Sequence, residues 1–161
     1  MTTEIVLVRY DDPEQGLALL DLLDAYAQDP FGGGTPLRPE VRQTLLAALS
    51  RVPGAFSLLA MVDGRAVGLA NCFEGFSTFN CAPLVNLHDL MVLPECRGQG
   101  LAQQMMQSIE QIAREKGCCK ITLEVVQNNR HAQRVYEKMG FSGYRLDADH
   151  GDALMWQKKL S

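Results

Sequence analysis

The apolar positions of the chain repeat with two periods, one typical of helices and one typical of strands. Apolar residues three or four positions apart predict helices, whereas runs rich in β-branched residues predict strands. Two of these runs are joined by Asp63-Gly64, a dipeptide typical of a two-residue hairpin turn, and are therefore expected to pair antiparallel. The first half of the chain contains predicted strands over 4–10, 55–62 and 65–73 and predicted helices over 13–28 and 39–51.

The second half of the chain alternates strands with helices. Its longest helix has apolar residues on one face and ends at Gly117, a residue typical of a helix C-terminus. A short helix is expected to begin at a capping residue, Asn128 or Asn129, and to end at Met139. The predicted strands cover 84–93, 120–126, 141–146 and 153–159, and the longest helix covers 98–116.

The order of these elements is β-α-α-β-β-β-α-β-α-β-β. The hairpin requires antiparallel strands, whereas the strand-helix-strand unit around the longest helix requires a parallel pair. The fold class is therefore predicted as α/β of the α+β type, with a mixed central sheet flanked by helices. A chain of 161 residues, 47% of them hydrophobic, is expected to form a single domain over 1–161.

Charge and cysteine content narrow the functional classes. A net charge of −4 provides no broad basic surface, so a nucleic-acid partner is not expected. The first residues lack the pattern of a signal peptide and no apolar run reaches the ~20 residues that span a bilayer, so we expect a cytoplasmic protein without a membrane partner. Five cysteines without a CxxC pair predict neither a disulfide framework nor a metal site.

The junction between the strand over 84–93 and the helix that follows it has the features of an anion site. The segment from Val92 to Ala102 contains Arg97, Gly98 and Gly100 at the start of the helix. A helix start exposes unpaired backbone N–H groups and the positive end of the helix dipole, and glycines allow an anion to approach the backbone closely. The segment lacks the Lys-Ser/Thr ending of the Walker loop and the spacing of the dinucleotide fingerprint.

Two motifs resemble those of a known family. Arg97-x-x-Gly100-x-Ala102 is similar to the acetyl-CoA loop of the GNAT N-acetyltransferases, and Asn129-x-x-Ala132-x-x-x-Tyr136, followed by Gly-Phe, is similar to that family's second signature. The strand over 87–92 also resembles that of the diamine and polyamine acetyltransferases, in which a glutamate commonly stands at the position of His88. The resemblance implies the GNAT acyl-CoA N-acyltransferase fold.

The resemblance also implies acetyl-CoA as cosubstrate, with no metal. Backbone amides of the loop would hold the CoA diphosphate, and the main chain at the end of the preceding strand would bond the pantetheine arm. Asn129 would bond the pantetheine, cap its helix, or do both. The expected cofactor-binding residues are Met91, Val92, Arg97, Gly98, Gln99, Gly100, Leu101, Ala102 and Asn129.

Three residues are candidates for proton transfer. By resemblance, Tyr136 would donate a proton to the thiolate of CoA; otherwise it is a core aromatic of its helix. An alkylamine is mostly protonated at pH 7, so attack on the thioester requires a base. His88 and Asp89 are the candidates, and a regular strand would place them on opposite faces of the sheet. Either one also has a structural alternative, as a residue satisfied within the sheet or by a nearby loop.

The resemblance implies an N-acetyltransferase that moves the acetyl group of acetyl-CoA to a primary amine by direct attack, through a tetrahedral intermediate. The expected acceptor is a small molecule: a polyamine, an amino acid or an aminosugar. The acceptor site would be lined by the glycines at 32–34 and by the segment Phe73–Phe79, which includes Glu74. The aromatic residues of this segment are alternatively core residues. A protein or peptide N-acetyltransferase and a non-catalytic acyl-CoA-binding module are the alternatives. An exposed edge strand would permit a homodimer.

Overall fold

The computed structural model describes residues 1–160 and contains one five-stranded sheet. Its strands are β1 (Thr3–Leu7), β2 (Ala55–Val62), β3 (Arg65–Ser77), β4 (Ala82–Val92) and β5 (Ile121–Leu123). The spatial order follows the chain, with antiparallel pairing from β1 to β4 and a parallel pair between β4 and β5. The mixed sheet predicted from the hairpin and from the strand-helix-strand unit is confirmed.

Residues 1–160 contain four α-helices: α1 (Pro13–Gln28), α2 (Pro39–Leu49), α3 (Leu101–Glu115) and α4 (Arg130–Lys138). The start of α1 is fixed by Asp12, whose side chain accepts hydrogen bonds from the backbone N–H groups of Glu14 and Gln15. A proline follows the cap of α1 and another opens α2, as expected for a first helical turn. Within residues 1–160, every helix is too short or too polar to cross a lipid bilayer.

The two faces of the sheet bury different helices. Leu59 of β2, Leu69 of β3 and Met91 of β4 are register partners and pack with the buried leucines of α1 and α2. The next row of paired residues, which includes Gly68 of β3, faces the opposite side of the sheet because side chains alternate along a strand. A Cβ atom at Gly68 would lie 3.0 Å from the methyl carbon of Met105 in α3. The helix α3 therefore covers the face opposite to α1.

Contacts divide the chain into two units at Leu123. The first unit, Met1–Leu123, contains the five strands and α1 to α3, and the second begins at Glu124 and contains α4. The prediction of a single domain over 1–161 stays a prediction.

The predicted final strand pair is reduced to one isolated antiparallel bridge, between Arg145 and Asp152. Asp147 accepts hydrogen bonds from the backbone N–H groups of Asp149 and His150 and so closes a local turn between the two bridge residues. Residues 142–150 and 152–160 are all exposed. Strand register is specified by burial of one face, and this segment has no such face to extend the bridge into a ladder.

The burial pattern of α1 generates a stability prediction. Leu19 is 0% exposed and lies in the core beneath the helix, whereas Leu17 of the same helix is 57% exposed. We expect Leu19→Ala to lower the free energy of unfolding by about 2–5 kcal/mol, because it leaves a cavity in the core. Leu17→Ala, the matched control, should change it by about 0.5 kcal/mol or less. Urea denaturation of both variants makes the comparison, and equal losses would contradict the described burial.

Candidate functional site

The loop between β4 and α3 has the geometry expected of an anion cradle. A short 3-10 turn over Pro94–Cys96 follows β4, and the chain then passes through Gly98 and Gly100, whose φ angles are 79° and 77°. These left-handed conformations strain any residue with a Cβ atom. The helix therefore begins at Leu101, three residues later than the prediction of residue 98, because two left-handed residues are incompatible with a right-handed helix.

The backbone N–H groups of this loop are available. Gly100 is the N-cap residue of α3 and no side chain caps the helix. Among residues 1–160, none accepts a hydrogen bond from the N–H groups of Gly98, Gln99, Gly100, Leu101 or Ala102. A Cβ atom added at Gly98 or at Gly100 would meet nothing within 4 Å. The loop thus presents consecutive unpaired donors to open space at a helix N-terminus, where the helix dipole favours negative charge.

Arg97 connects this loop to two neighbouring elements. Its Nε donates a hydrogen bond of 3.0 Å to the carbonyl oxygen of Val92, at the end of β4. Its Nη2 lies 3.5 Å from a carboxylate oxygen of Asp29, the residue that ends α1. The guanidinium is therefore held between the end of β4 and the end of α1.

The strand β4 loses one of its two partners before it reaches this loop. Pairing with β5 covers only Val85 to Leu87, whereas pairing with β3 continues to Val92. Where the β5 pairing ends, β4 has a bulge at His88, because Cys72 of β3 pairs with Leu87 and Asn71 pairs with Asp89. Bulges redirect side chains and end pairing on one side of a strand.

The bulge corrects the prediction that His88 and Asp89 point to opposite faces. The ring of His88 contacts Phe73 edge to face, with ring centres 5.5 Å apart, and Asp89 accepts a hydrogen bond of 3.0 Å from the side chain of Asn71. Phe73 and Asn71 are two positions apart on β3 and so share a face of the sheet. Phe73 packs against the core beneath α1, so both candidate bases lie on the α1 face.

The charge of Asp89 affects the pKa values of titratable side chains on α1 and β3. Burial and the charges of Asp89 and Asp29 together raise the pKa of the Tyr26 hydroxyl above its usual value. Burial, assisted by the charge of Asp89, raises the pKa of the Cys72 thiol to about 12. The thiol is therefore protonated and unreactive at neutral pH.

The structure brings only part of the expected acceptor lining to the loop. The glycines at 32–34 lie next to it, because the N–H groups of Gly32 and Gly34 bond the carbonyl oxygen of Asp29, the partner of Arg97. Phe76, near the end of β3, and Phe79, in the turn that follows, instead lie beside the start of β4, at the end of the strand away from the loop, and are 60% and 98% exposed. The carboxylate of Glu74 pairs with Lys116 at 3.1 Å.

The second unit holds the remaining predicted residues. Asn129 is the N-cap residue of α4, and its side chain accepts a hydrogen bond of 3.1 Å from the N–H of Ala132, so its predicted capping role is confirmed. Tyr136 lies two turns along α4, half-buried, with its ring centre 6.0 Å from that of Phe141. This ring contact fits the interpretation of Tyr136 as a packed aromatic of its helix.

Comparison with known proteins decides the family. The sequence profile of the acetyltransferase (GNAT) family matches residues 19–141, which include the loop, β4 and α4. The chain belongs to the GNAT acetyltransferase family. The loop after β4 and the Asn129 motif both lie within the matched residues.

Individual relatives are similar over part of their length. The chain is 31% identical over 88 residues to aminoglycoside N(6')-acetyltransferase type 1 of Salmonella typhimurium, a match that covers 53% of this chain and 61% of that enzyme. It is 34% identical over 74 residues to thialysine N-epsilon-acetyltransferase of Bos taurus, covering 46% of this chain and 43% of that enzyme. The chain thus covers about three fifths of the length of the Salmonella enzyme and less than half of the length of the bovine enzyme.

Solved structures agree on the fold. The aminoglycoside acetyltransferase AAC(6')-Iy, solved with a bisubstrate analogue, superimposes with a TM-score of 0.78 at 18% identity, covering 99% of each chain. This likeness supports the GNAT fold that the motifs imply, with its mixed sheet and flanking helices.

The geometry also identifies residues that the sequence reasoning missed. Asn71 and Ser57 are polar residues inside otherwise apolar strands, and this anomaly was the available signal, because a buried polar side chain needs a hydrogen-bonding partner. Tyr26 and Asp29 had no such signal, since they lie at the end of an ordinary amphipathic helix. Residues 1–160 contain no cluster of three or more His, Cys, Asp or Glu side chains arranged to hold a metal ion.

Proposed function

We propose that this protein is an acetyl-CoA-dependent N-acetyltransferase that acts on the primary amine of a small molecule. The observation that carries the proposal is the loop after β4, in which consecutive unpaired amides at the start of α3 occur in a GNAT sequence. Such a loop is suited to a diphosphate, and acetyl-CoA combines a diphosphate with an acetyl thioester.

The residues at the loop fit that ligand. The open space above Gly98 and Gly100 admits an anion to the amides of residues 98–102, and the Arg97 side chain, paired with Asp29, extends from the residue just before them. The side of β4 that β5 leaves unpaired beyond Leu87 is open to an extended amide-bearing arm. Since the N–H of Leu93 bonds Val67 of β3, the main-chain groups of Met91, two residues earlier, also face β3, and those of Val92 face the open side. The carbonyl of Val92 already accepts a hydrogen bond from Arg97, so its N–H is the group left for that arm.

The chemistry requires two proton-transferring groups of the chain, a base and an acid. His88 or Asp89 accepts a proton from the ammonium group, so that an N–H bond breaks and the freed electron pair forms the new N–C bond. Acetyl-CoA supplies the acetyl group when bound. Tyr136, assigned by the family's second signature, gives its hydroxyl proton to the departing sulfur as the C–S bond breaks, and recovers a proton from the nitrogen. One proton per turnover passes from the base to solvent.

The acceptor class rests on the relatives and on charge. The Salmonella relative is named for an aminosugar substrate and the bovine one for a lysine-like amine, and both substrates are small cationic amines. The carboxylate of Asp89 lies near Tyr26 on the first unit and gives this region negative charge, which favours a cation, whereas the carboxylate of Asp29 is paired with Arg97. An aminosugar or a lysine-like amine is therefore the proposed substrate, with polyamines in the same chemical class.

The loop assignment predicts a specific loss of CoA affinity. Gly100 and Gly117 lie at opposite ends of α3, both with positive φ and with open space around them. Valine at either position is strained and should destabilise the fold similarly. Only Gly100→Val should weaken CoA binding, by about tenfold or more, equivalent to ~1.4 kcal/mol. Calorimetric titration with CoA measures both variants, and equal affinities in the two would contradict the assignment.

The catalytic assignment predicts the behaviour of a tyrosine variant. Release of free CoA is followed with neamine, lysine, spermidine and a peptide mixture as acceptors. Tyr136→Phe should lower kcat by about 100-fold, because the departing thiolate loses its proton donor, while CoA affinity is kept. Tyr144→Phe is the matched control, since Tyr144 is 64% exposed in the same unit.

The same assay separates the alternatives. An unchanged kcat in Tyr136→Phe would contradict the role of the phenol. Turnover confined to the peptide mixture would replace the small-molecule assignment with a protein acetyltransferase. Affinity for CoA without release of CoA by any acceptor would indicate a non-catalytic binding module.

A further inference from the structure

A line of four side chains crosses the sheet of the first unit and ends at Asp89. The hydroxyl of Tyr10 lies 2.9 Å from Oγ of Ser57, which lies 2.6 Å from Oδ1 of Asn71. Nδ2 of Asn71 lies 3.0 Å from Oδ2 of Asp89. Ser57, Asn71 and Asp89 are register partners on β2, β3 and β4, so their side chains stand next to one another on one face.

The direction of every hydrogen bond in this line follows from its chemistry. The side-chain nitrogen of Asn71 donates to the carboxylate of Asp89, and the amide oxygen of Asn71 can only accept. The single O–H of Ser57 is therefore donated to Asn71, so Ser57 Oγ accepts the O–H of Tyr10. All donors thus point toward Asp89, and hydrogen bonds aligned in this way polarise and strengthen one another.

The burial of these residues changes along the line. Ser57 is 0% exposed and Asn71 4% exposed, whereas Asp89 is half-buried. Burying polar groups in an apolar sheet brings a desolvation cost that apolar residues of similar size would not have. The line ends at the carboxylate next to the bulge, where β4 no longer pairs with β5. By contrast, His88 is exposed and its ring is in edge-to-face contact with Phe73.

We propose that Asn71, Ser57 and Tyr10 are positioning residues that orient the Asp89 carboxylate as the group that accepts the proton of the amine. The inference rests on the proposed acetyltransferase function and chooses between its two candidate bases. An N–H bond of the ammonium group breaks, an O–H bond forms on Asp89, and the proton then passes to solvent. The hydrogens of Tyr10, Ser57 and Asn71 stay on their own atoms throughout.

The test measures kcat in two backgrounds, with neamine, lysine and spermidine as acceptors. Asn71→Leu removes the donor to Asp89 and should lower kcat by about tenfold, with the KM for acetyl-CoA unchanged. In an Asp89→Asn background, which is itself about 100-fold slower, Asn71→Leu should cause no further loss, because the group that it orients is gone. A purely structural role for Asn71 would lower kcat in both backgrounds.

Gentler variants keep the test valid if Asn71→Leu folds poorly. Ser57→Ala and Tyr10→Phe each remove one hydroxyl and should lower kcat several-fold, the more distant Tyr10→Phe by less. Ser108→Ala is the matched control: its hydroxyl bonds the carbonyl of Gln104 within α3, and kcat should be unchanged. Thermal unfolding of each variant checks that the protein is folded at the assay temperature.

The outcomes separate this inference from the proposed function. Losses of kcat that vanish in the Asp89→Asn background support the positioning role. Losses of equal size in both backgrounds, or wild-type kcat in all three variants, would overturn the inference and leave the acetyltransferase assignment intact. Wild-type protein that releases no CoA with any of the acceptors would overturn the proposed function, and the inference with it.

Discussion

The candidate site depends on the loss of a strand partner along β4. Backbone N–H and C=O groups of a central strand are normally hydrogen-bonded to neighbouring strands on both sides. Here β5 pairs with β4 only as far as Leu87, while β3 supports β4 to its end at Val92. Five residues, 88–92, are thus held rigidly on one side and lack the β5 ladder on the other. The bulge at His88 lies at the start of this stretch and directs Asp89 onto the α1 face.

The charge also differs between the C-terminal end of β4 and the segment that precedes it. The unpaired amides of the loop make the C-terminal end positive, whereas Asp89, three residues before Val92, makes the preceding segment negative. Three residues of strand correspond to about 10 Å. A ligand with an anionic end and a reactive group that meets a cationic amine matches this order. The Arg97–Asp29 ion pair joins the loop to the end of α1.

Features that depend on neighbouring residues were predicted from the sequence better than features that depend on pairing between distant residues. Asp63-Gly64 predicted the β2–β3 hairpin, and Arg97, Gly98 and Gly100 predicted the loop, because turn conformation and helix starts depend on neighbouring residues. The relation of His88 to Asp89 was predicted wrongly, because a bulge is set by pairing with β3 and leaves no signature in β4 itself. The hydrogen bonds from Tyr10 to Asp89 join residues far apart in the chain, so only the polarity of Ser57 and Asn71 within apolar strands signalled them.

The central claim is that the amides after β4 hold the diphosphate of CoA, and amide NMR tests it most directly. A protein labelled with ¹⁵N is titrated with CoA while the backbone N–H signals are followed. The account predicts that the signals of Gly98 to Ala102 shift most and that their hydrogen exchange slows, because their unpaired donors become hydrogen-bonded. Saturable CoA binding that leaves those signals unchanged would contradict it, as would the absence of any binding.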